Sequence, residues 1–366
     1  MRYYALDDLV DPLDGQPFAV EVQDRIARPG PEVEGCRRWC GYLGAEASRA
    51  TPDDCAACAQ LWVVSGWLVS SDRRYPILGG IPRLRPEDAN AAVAIEADDR
   101  AVRESFGYEW RHFSEELPDY EAEAANYFRL VPRAQFDGAT ILDAGCGSGR
   151  WARHLASKPL RRLYAVDYSS SIEQAQRLLE QDSRAHCVQA DIRYLPFRSS
   201  SLDLVYSLGV LHHLPDPDAG MRSLIATLRP GGGLLLYLYY ALDNRPRHYR
   251  AIFQFVNALR GATSRLPKPL MHSLAWAIAI GVYWPLARLA LVAELIGGQN
   301  ATAWIPLHHY RRRSIRMMVL DAFDRFATPL ERRYSRSEIT SWLARYGLRP
   351  AFSESSPFWV VYAVKP

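Results

Sequence analysis

The run Asp143-Ala144-Gly145-Cys146-Gly147-Ser148-Gly149 puts a carboxylate and three alternating glycines where an apolar stretch gives way to a helical one. Glycines there permit a tight turn and let a ligand approach bare backbone. The N–H groups of the helix start can then meet a polar ligand. The dinucleotide spacing fails, because Arg150 occupies the third position after Gly145 and Gly147. Asp167 and Asp191 follow at the ends of the next two apolar stretches. A carboxylate at the first of these ends can accept ribose hydroxyls, and one at the second can accept an adenine amino proton. Three acids in phase with three strands face one crevice outside the carboxyl edge of a sheet.

Two histidine pairs add acid–base chemistry. His212 and His213 lie just past the fourth strand, and imidazole has the intrinsic pKa of a general base. Trp304-Ile305-Pro306-Leu307-His308-His309-Tyr310-Arg311-Arg312-Arg313 gathers two imidazoles, a phenol and three guanidiniums, with Asp321 and Asp324 following on a helix. His212, His213, His309 and Tyr310 are therefore the candidate catalytic groups. His308 and Arg311 are the candidate contacts to an anionic or strongly polar acceptor. Against this stands the plainer reading of a solvated basic face. Cys36-x₃-Cys40 and Cys55-x₂-Cys58 form two close pairs, and their spacing leads us to expect a structural zinc on these four thiolates. Cys187 reads as a small filler.

The elements that must position these groups follow an α/β rhythm. Strands are predicted at 140–144, 162–166, 187–190, 202–207 and 234–239, with helices between them. The rhythm stops at 241 and resumes with a helix at 335–346, which has Ser335 at its start and Gly347 just past its end. Two last strands, 349–354 and 358–364, bring the count to seven. The expected fold is α/β, a Rossmann-like seven-stranded sheet with a small β-rich N-terminal module and a helical insertion after the fifth strand. The expected divisions are 1–86 for the module, 87–135 for a helical linker and lid, 136–240 for the cofactor core, 241–334 for a helical cap, and 335–366 for the end of the core.

The matching runs are Ile141 to Gly149, Tyr164-Ala165-Val166-Asp167, Gln189-Ala190-Asp191-Ile192, Leu202-Asp203-Leu204-Val205-Tyr206-Ser207, Val210-Leu211-His212-His213-Leu214 and Leu228-Arg229-Pro230-Gly231-Gly232. In combination they closely resemble the class I S-adenosylmethionine (SAM)-dependent methyltransferases of type 11. The resemblance implies SAM as cofactor. It sets Gly145, Gly147 and Gly149 under the methionine part, Asp167 at the ribose, and Asp191 with Ile192 at the adenine; Asp143, Cys146 and Tyr168 join the expected cofactor contacts. Ser207 and Leu208 complete the implied site. Phe106-Gly107-Tyr108-Glu109-Trp110 resembles the segment that covers the cofactor in similar enzymes, so Phe106 and Trp110 join it. The N-terminal runs 9–15 and 75–82 resemble a Trm112-like zinc-ribbon module. Asp11 and Asp14 stand where that module has its first cysteine pair, and its second pair falls near Leu68 and Ser71.

At 366 residues and a net charge of +3, the chain is long enough for two or three cores. Residues 1–110 carry 12 basic and 19 acidic residues, whereas 241–366 carry 18 basic and 7 acidic. Nearly all the positive charge is arginine, which suits phosphate or carboxylate recognition. The start lacks the basic-then-apolar order of a signal peptide, so a cytoplasmic protein is expected. Residues 269–287 are free of formal charge. They are expected to form a buried pair of cap helices. An apolar surface that meets a lipid-like substrate or a membrane is the second reading, and a bilayer span the third.

The function expected is methylation, at oxygen before carbon or nitrogen, of a small or medium-sized specialised metabolite or saccharide-linked acceptor. The alternatives are a tRNA or rRNA methyltransferase, a SAM-binding scaffold, or a SAM enzyme of another reaction type. The basic third lacks a recognisable RNA-binding module, which disfavours nucleic acid as a partner.

Overall fold

The computed structural model describes residues 1–28, 30, 35–89, 97–112, 120–241, 247–302, 304–353 and 359–366. A 3₁₀ turn, Tyr3–Asp7, opens the N-terminal module, followed by β1 (Ala19–Ala27), β2 (Trp39–Cys40), β3 (Ala45–Glu46), α1 (Pro52–Gln60), β4 (Leu61–Ser70), β5 (Arg73–Leu78) and β6 (Ile81–Pro82). Strands β1-β4-β5-β6 pair antiparallel in that order. Helix α1 starts where it does because Thr51 and Asp54 close a reciprocal capping box and Pro52 occupies the first turn.

At the positions where the resemblance places metal ligands, the module is held by an ion pair. Arg73 Nε donates to Asp11 Oδ2 at 2.9 Å, and the same guanidinium reaches Asp14. The Tyr75 hydroxyl donates to Asp11 Oδ1 at 3.0 Å and Ser71 to Asp14 at 3.4 Å. A planar guanidinium fork thus stands between the two carboxylates. The expected zinc on Cys36, Cys40, Cys55 and Cys58 is corrected here. No group of three or more His, Cys, Asp or Glu among the described residues is placed to hold a metal ion. All four are free cysteines, and burial pushes the Cys36 and Cys58 thiols up to about 12.

The lid helices α2 (Ala97–His112) and α3 (Tyr120–Phe128) precede the core. The core runs β7 (Thr140–Ala144), α4 (Arg150–Leu155), β8 (Arg162–Asp167), α5 (Ile172–Leu178), β9 (Ala185–Gln189), β10 (Leu202–Leu208), α6 (Pro217–Thr227) and β11 (Leu228–Leu238). After the insertion come α11 (Arg336–Ala344), β12 (Ala351–Phe352) and β13 (Trp359–Val364). The seven strands order as β12-β13-β11-β10-β7-β8-β9. From β11 to β9 the neighbours are parallel, and β13 runs antiparallel to β11. Strands β7 and β9 are buried throughout, as a sheet covered on both faces requires. Of the predicted last strands, Glu354 and Phe358 lie outside the described residues.

The module docks on the β9 edge. Arg83 bridges parallel to Gln189, and Leu84 N donates to Gln189 O at 2.7 Å. Beneath this seam Arg162, almost fully buried, donates to Asp8 Oδ2 at 2.7 Å and Asp7 Oδ2 at 3.3 Å. The Tyr164 hydroxyl also donates to Asp8, at 2.8 Å.

The chain leaves the core at Tyr240 and returns at Tyr334, and these two residues form a β-bridge. Between them lie α7 (Arg247–Thr263), α8 (Lys268–Ile278), one π-helical turn (Ala279–Tyr283), α9 (Trp284–Gly297) and α10 (Ile315–Ala327). The expected buried helix pair is corrected. Gly281 and Pro285 do not break the chain, and Lys268–Gly297 is one continuous helix. Proline lacks an N–H and crowds the carbonyl four residues earlier; the π turn just before Pro285 is wide enough to absorb both defects. One stripe is buried, Met271, Ala275, Ala279, Tyr283, Ala287 and Ala290, packed on Met318, Val319, Ala322 and Phe323 of α10 and on Tyr310. A helix with a neighbour on one side can bury no more than that stripe.

Candidate active site

The floor of the site is built by three neighbouring strand ends. Asp143 lies in β7, Asp167 closes β8 and Asp191 follows β9. Gly145, Gly147 and Gly149 adopt φ of 86°, 55° and 82°, where side chains are strained. At Gly145 space is lacking as well, since a Cβ there would lie 2.4 Å from a methyl carbon of Val210. The loop is pinned from below. Gly145 N and Cys146 N donate to Val166 O at 2.8 and 2.9 Å, and Gly147 N donates to Asp167 Oδ2 at 2.9 Å. The other Asp167 oxygen accepts from Ser169 N and Oγ at 2.8 and 2.7 Å. Asp191 caps a short turn by accepting from Arg193 N at 2.8 Å, and it pairs with the same residue's guanidinium at 2.6 Å. Ser207 Oγ donates to Ala144 O at 2.8 Å, and Ile192 and Leu208 are buried beside these strand ends.

Asp143 is 1% exposed, and its Oδ2 has no hydrogen-bond partner among the described residues. Burial raises its carboxyl to about 8; the Tyr206 hydroxyl nearby opposes the shift and the Asp167 charge adds to it. A buried carboxyl with an idle oxygen beside bare glycine backbone suits a ligand that brings positive charge and tolerates close approach. SAM carries such charge at its sulfonium and its ammonium, and the donor set fits it.

Helix α2 closes the site from above. Phe106 meets the His213 ring edge-on at 5.2 Å, and a Cβ on Gly107 would come 3.1 Å from Ser170 Oγ, one turn from Asp167. Arg103 and Arg85 hold their guanidiniums over the Tyr168 ring at 5.4 and 5.9 Å. Trp110 is on the same helix, but its side chain lies outside the described ones.

Beyond the lid, α2, α10 and the end of β11 enclose acids and phenols. Glu109 on α2 is 3% exposed and its Oε2 has no partner among the described residues. Burial pushes Glu109 well above the usual carboxyl range, and the Asp324 charge adds to the shift. Asp324 accepts from the Tyr239 hydroxyl at 2.5 Å through Oδ2, while its Oδ1 has no partner among the described residues. Asp321 is raised to about 6 by burial, despite the hydrogen bond it accepts from Tyr310. Tyr239 lies 3.9 Å from the His212 ring, centre to centre. His212 is fully buried, neither of its ring nitrogens has a partner among the described residues, and burial holds it neutral.

The other predicted residues are placed differently. His213 Nδ1 is 2.7 Å from Leu330 O. His308 Nδ1 lies 3.0 Å from Ile305 O, and His309 is exposed. Arg311 grips Glu294 with two nitrogens, at 2.9 and 3.2 Å, and Arg312 shares that carboxylate. The Arg-rich run thus braces the end of α9, and Tyr310 points into the acidic cluster. Glu109, Tyr237 and Tyr239 had no assigned role in the sequence. The available signal was the spacing of Tyr237 and Tyr239, which puts both on one face at a strand's carboxyl end. Glu109 could not be found this way, because its burial is created by α10, which is more than 200 residues away in the chain.

The methyltransferase domain family matches over residues 141–232. A malonyl-[acyl-carrier protein] O-methyltransferase of Enterobacter lignolyticus is 30% identical over 167 residues, 44% of this chain and 64% of the relative. A mitochondrial arginine-hydroxylase of Danio rerio is 36% identical over 91 residues, 25% of this chain and 28% of the relative. The chain spans between 28% and 31% of the length of three curated relatives it matches. Among solved structures, magnesium protoporphyrin IX methyltransferase of Synechocystis with bound S-adenosylhomocysteine aligns at a TM-score of 0.44 and 16% identity, covering 75% of this chain and all of that one.

Proposed function

We propose that the chain is a SAM-dependent methyltransferase that acts on a small polar acceptor carrying hydroxyl or amine groups, with oxygen as the favoured methyl acceptor. The observation that carries the reading is the register of Asp143, Asp167 and Asp191 at three adjacent strand ends around a left-handed glycine loop, with Asp143 Oδ2 left idle. SAM supplies an activated methyl group. The protein must then orient the nucleophile, exclude water and, for a hydroxyl, accept a proton.

The acidic cluster beyond the lid suits those tasks. The idle oxygens of Glu109 and Asp324 are acceptors for the donor groups of a polyol or amine. Glu109, whose carboxyl burial pushes well above the usual range and which is therefore a stronger proton acceptor once ionised, is the base in this reading, and His212 positions Tyr239. This changes the expected chemistry of the acceptor. A polar group rich in donors replaces an anion, because the arginines that were to hold an anion are engaged with carboxylates. Arg260 and Arg333 pair with Glu331, Arg311 and Arg312 with Glu294, and Arg313 with Glu123. The same pairing weakens the nucleic-acid alternative, which needs an open basic stripe.

The test is calorimetry with SAM, followed by transfer of labelled methyl to a panel of hydroxyl- and amine-bearing small molecules. Glu109→Gln should leave the SAM dissociation constant within about twofold and lower turnover by about 10²-fold or more. Unchanged turnover would remove Glu109 from the reaction. Binding of NAD without binding of SAM would remove the class.

A further inference from the structure

The long cap helix presents an apolar face that the fold leaves uncovered. Opposite the stripe buried on α10, Trp276, Ile280, Trp284, Leu289, Leu295 and Ile296 are exposed, the last two by 76% and 84%. At 1.5 Å per residue the 30-residue helix runs for about 45 Å. Surface apolar residues scattered singly need no explanation, but a continuous face of this length does.

We propose that this face docks in the plane of an anionic lipid bilayer. Three features select that occupant. Charge complementarity is the first. Residues 247–316 contain ten arginines and lysines and one carboxylate, Glu294; Arg311 and Arg312 hold it, and Arg260 and Arg313 pair with Glu331 and Glu123 from outside the segment, which still leaves the segment in cationic excess. Arg265, just before the helix, is exposed, and the Arg312 side chain beyond its far end is 69% exposed, so cations flank a helix whose stretch 269–287 carries no formal charge. Such a face gains from apolar burial and from attraction to anionic headgroups together. Tryptophan is the second feature. Trp276 and Trp284 lie on the exposed face, and Trp304, 64% exposed, lies just past it. Indole prefers the headgroup boundary, where its ring is buried and its N–H stays wet. The third is the partner helix. Helix α10 packs along the buried stripe and carries Arg316, Asp321, Asp324 and Arg325. A spanning orientation would take those charges into hydrocarbon, whereas an in-plane one keeps them on the protein side. The inference stands apart from the methyl-transfer reading, since it uses no residue of the cofactor site.

The experiment is sedimentation of the full chain with vesicles of phosphatidylcholine alone, and of phosphatidylcholine with one part in three phosphatidylglycerol. The wild type should bind the anionic vesicles at least tenfold more strongly than the neutral ones. Leu295→Glu with Ile296→Glu should reduce that binding at least tenfold while leaving the melting temperature and SAM binding unchanged. Wild-type protein that stays in the supernatant with both vesicles would overturn the proposal. So would a lipid-free dimer that the double variant converts to monomer, because a second copy would then cover the face. Resistance of vesicle-bound protein to alkaline carbonate would overturn it in favour of a spanning helix.

Discussion

Replacing Asp143 by asparagine should stabilise the protein and cripple its cofactor binding at the same time. The carboxyl ordinarily titrates at 3.8 and burial raises it to about 8 in the fold. Below pH 3.8 both folded and unfolded chains hold the proton, so the group imposes no penalty. Above it the unfolded chain loses the proton while the folded chain keeps it, so stability falls as pH rises toward 8 and levels off beyond. At pH 7 the gap of about three pH units corresponds to about 4 kcal/mol, which sets a ceiling. The amide keeps the shape of the carboxyl without its charge, so the SAM-free Asp143→Asn variant should gain roughly 1–4 kcal/mol at pH 7 and almost nothing at pH 4. Thermal melts at the two pH values measure this.

Binding should move the opposite way. If a cationic ligand requires the ionised carboxylate, wild-type affinity for SAM should rise up to about twentyfold between pH 6 and 7.5, as the ionised fraction grows toward a pKa near 8. Asp143→Asn should bind weakly, with no such rise. A variant that melts lower than the wild type at pH 7, or wild-type binding that is flat across this window, would refute the account of Asp143 as a strained group awaiting a cation.

Further outcomes are expected elsewhere. Asp167→Ala removes the acceptor that pins Gly147 and Ser169, and calorimetry should show SAM binding weakened by about 2–4 kcal/mol; an unchanged constant would release Asp167 from the ribose. Asp8→Ala leaves the Arg162 guanidinium buried at the seam between module and core, so chemical denaturation should show a loss of about 3–5 kcal/mol. A loss below about 1 kcal/mol would mean that Asp7 alone suffices. Arg311→Ala breaks a brace to Glu294, so acceptor kinetics should stay within about twofold of wild type, and a tenfold rise in the acceptor KM would return this residue to the substrate site. Protein purified without added metal should carry less than about 0.1 zinc per chain, since no ligand set is assembled among the described residues; one equivalent would restore the cysteine site.

The cofactor floor could be read from the sequence because its determinants are local. A strand, its terminal acid and the turn glycines lie within a few residues of one another, and the α/β rhythm repeats that unit. Asp143, Asp167 and Asp191 came into line for that reason. The seven strands were legible too, because a sheet buried on both faces leaves short apolar runs bounded by turns. Chain contacts made over long separations were not legible. Whether Arg311 meets a substrate or Glu294 depends on how α9 returns toward the 308–313 turn. Whether Glu109 is an ordinary surface acid or a buried one depends on α10. The cysteine spacings allowed a metal, but only the packing of α1 against the N-terminal turn decides how the four thiols are placed, and Arg73 takes the charge between Asp11 and Asp14. An uncharged stretch such as 269–287 has the same composition whether buried in a core or facing outward, so its exposure could be decided only by counting its neighbours in space.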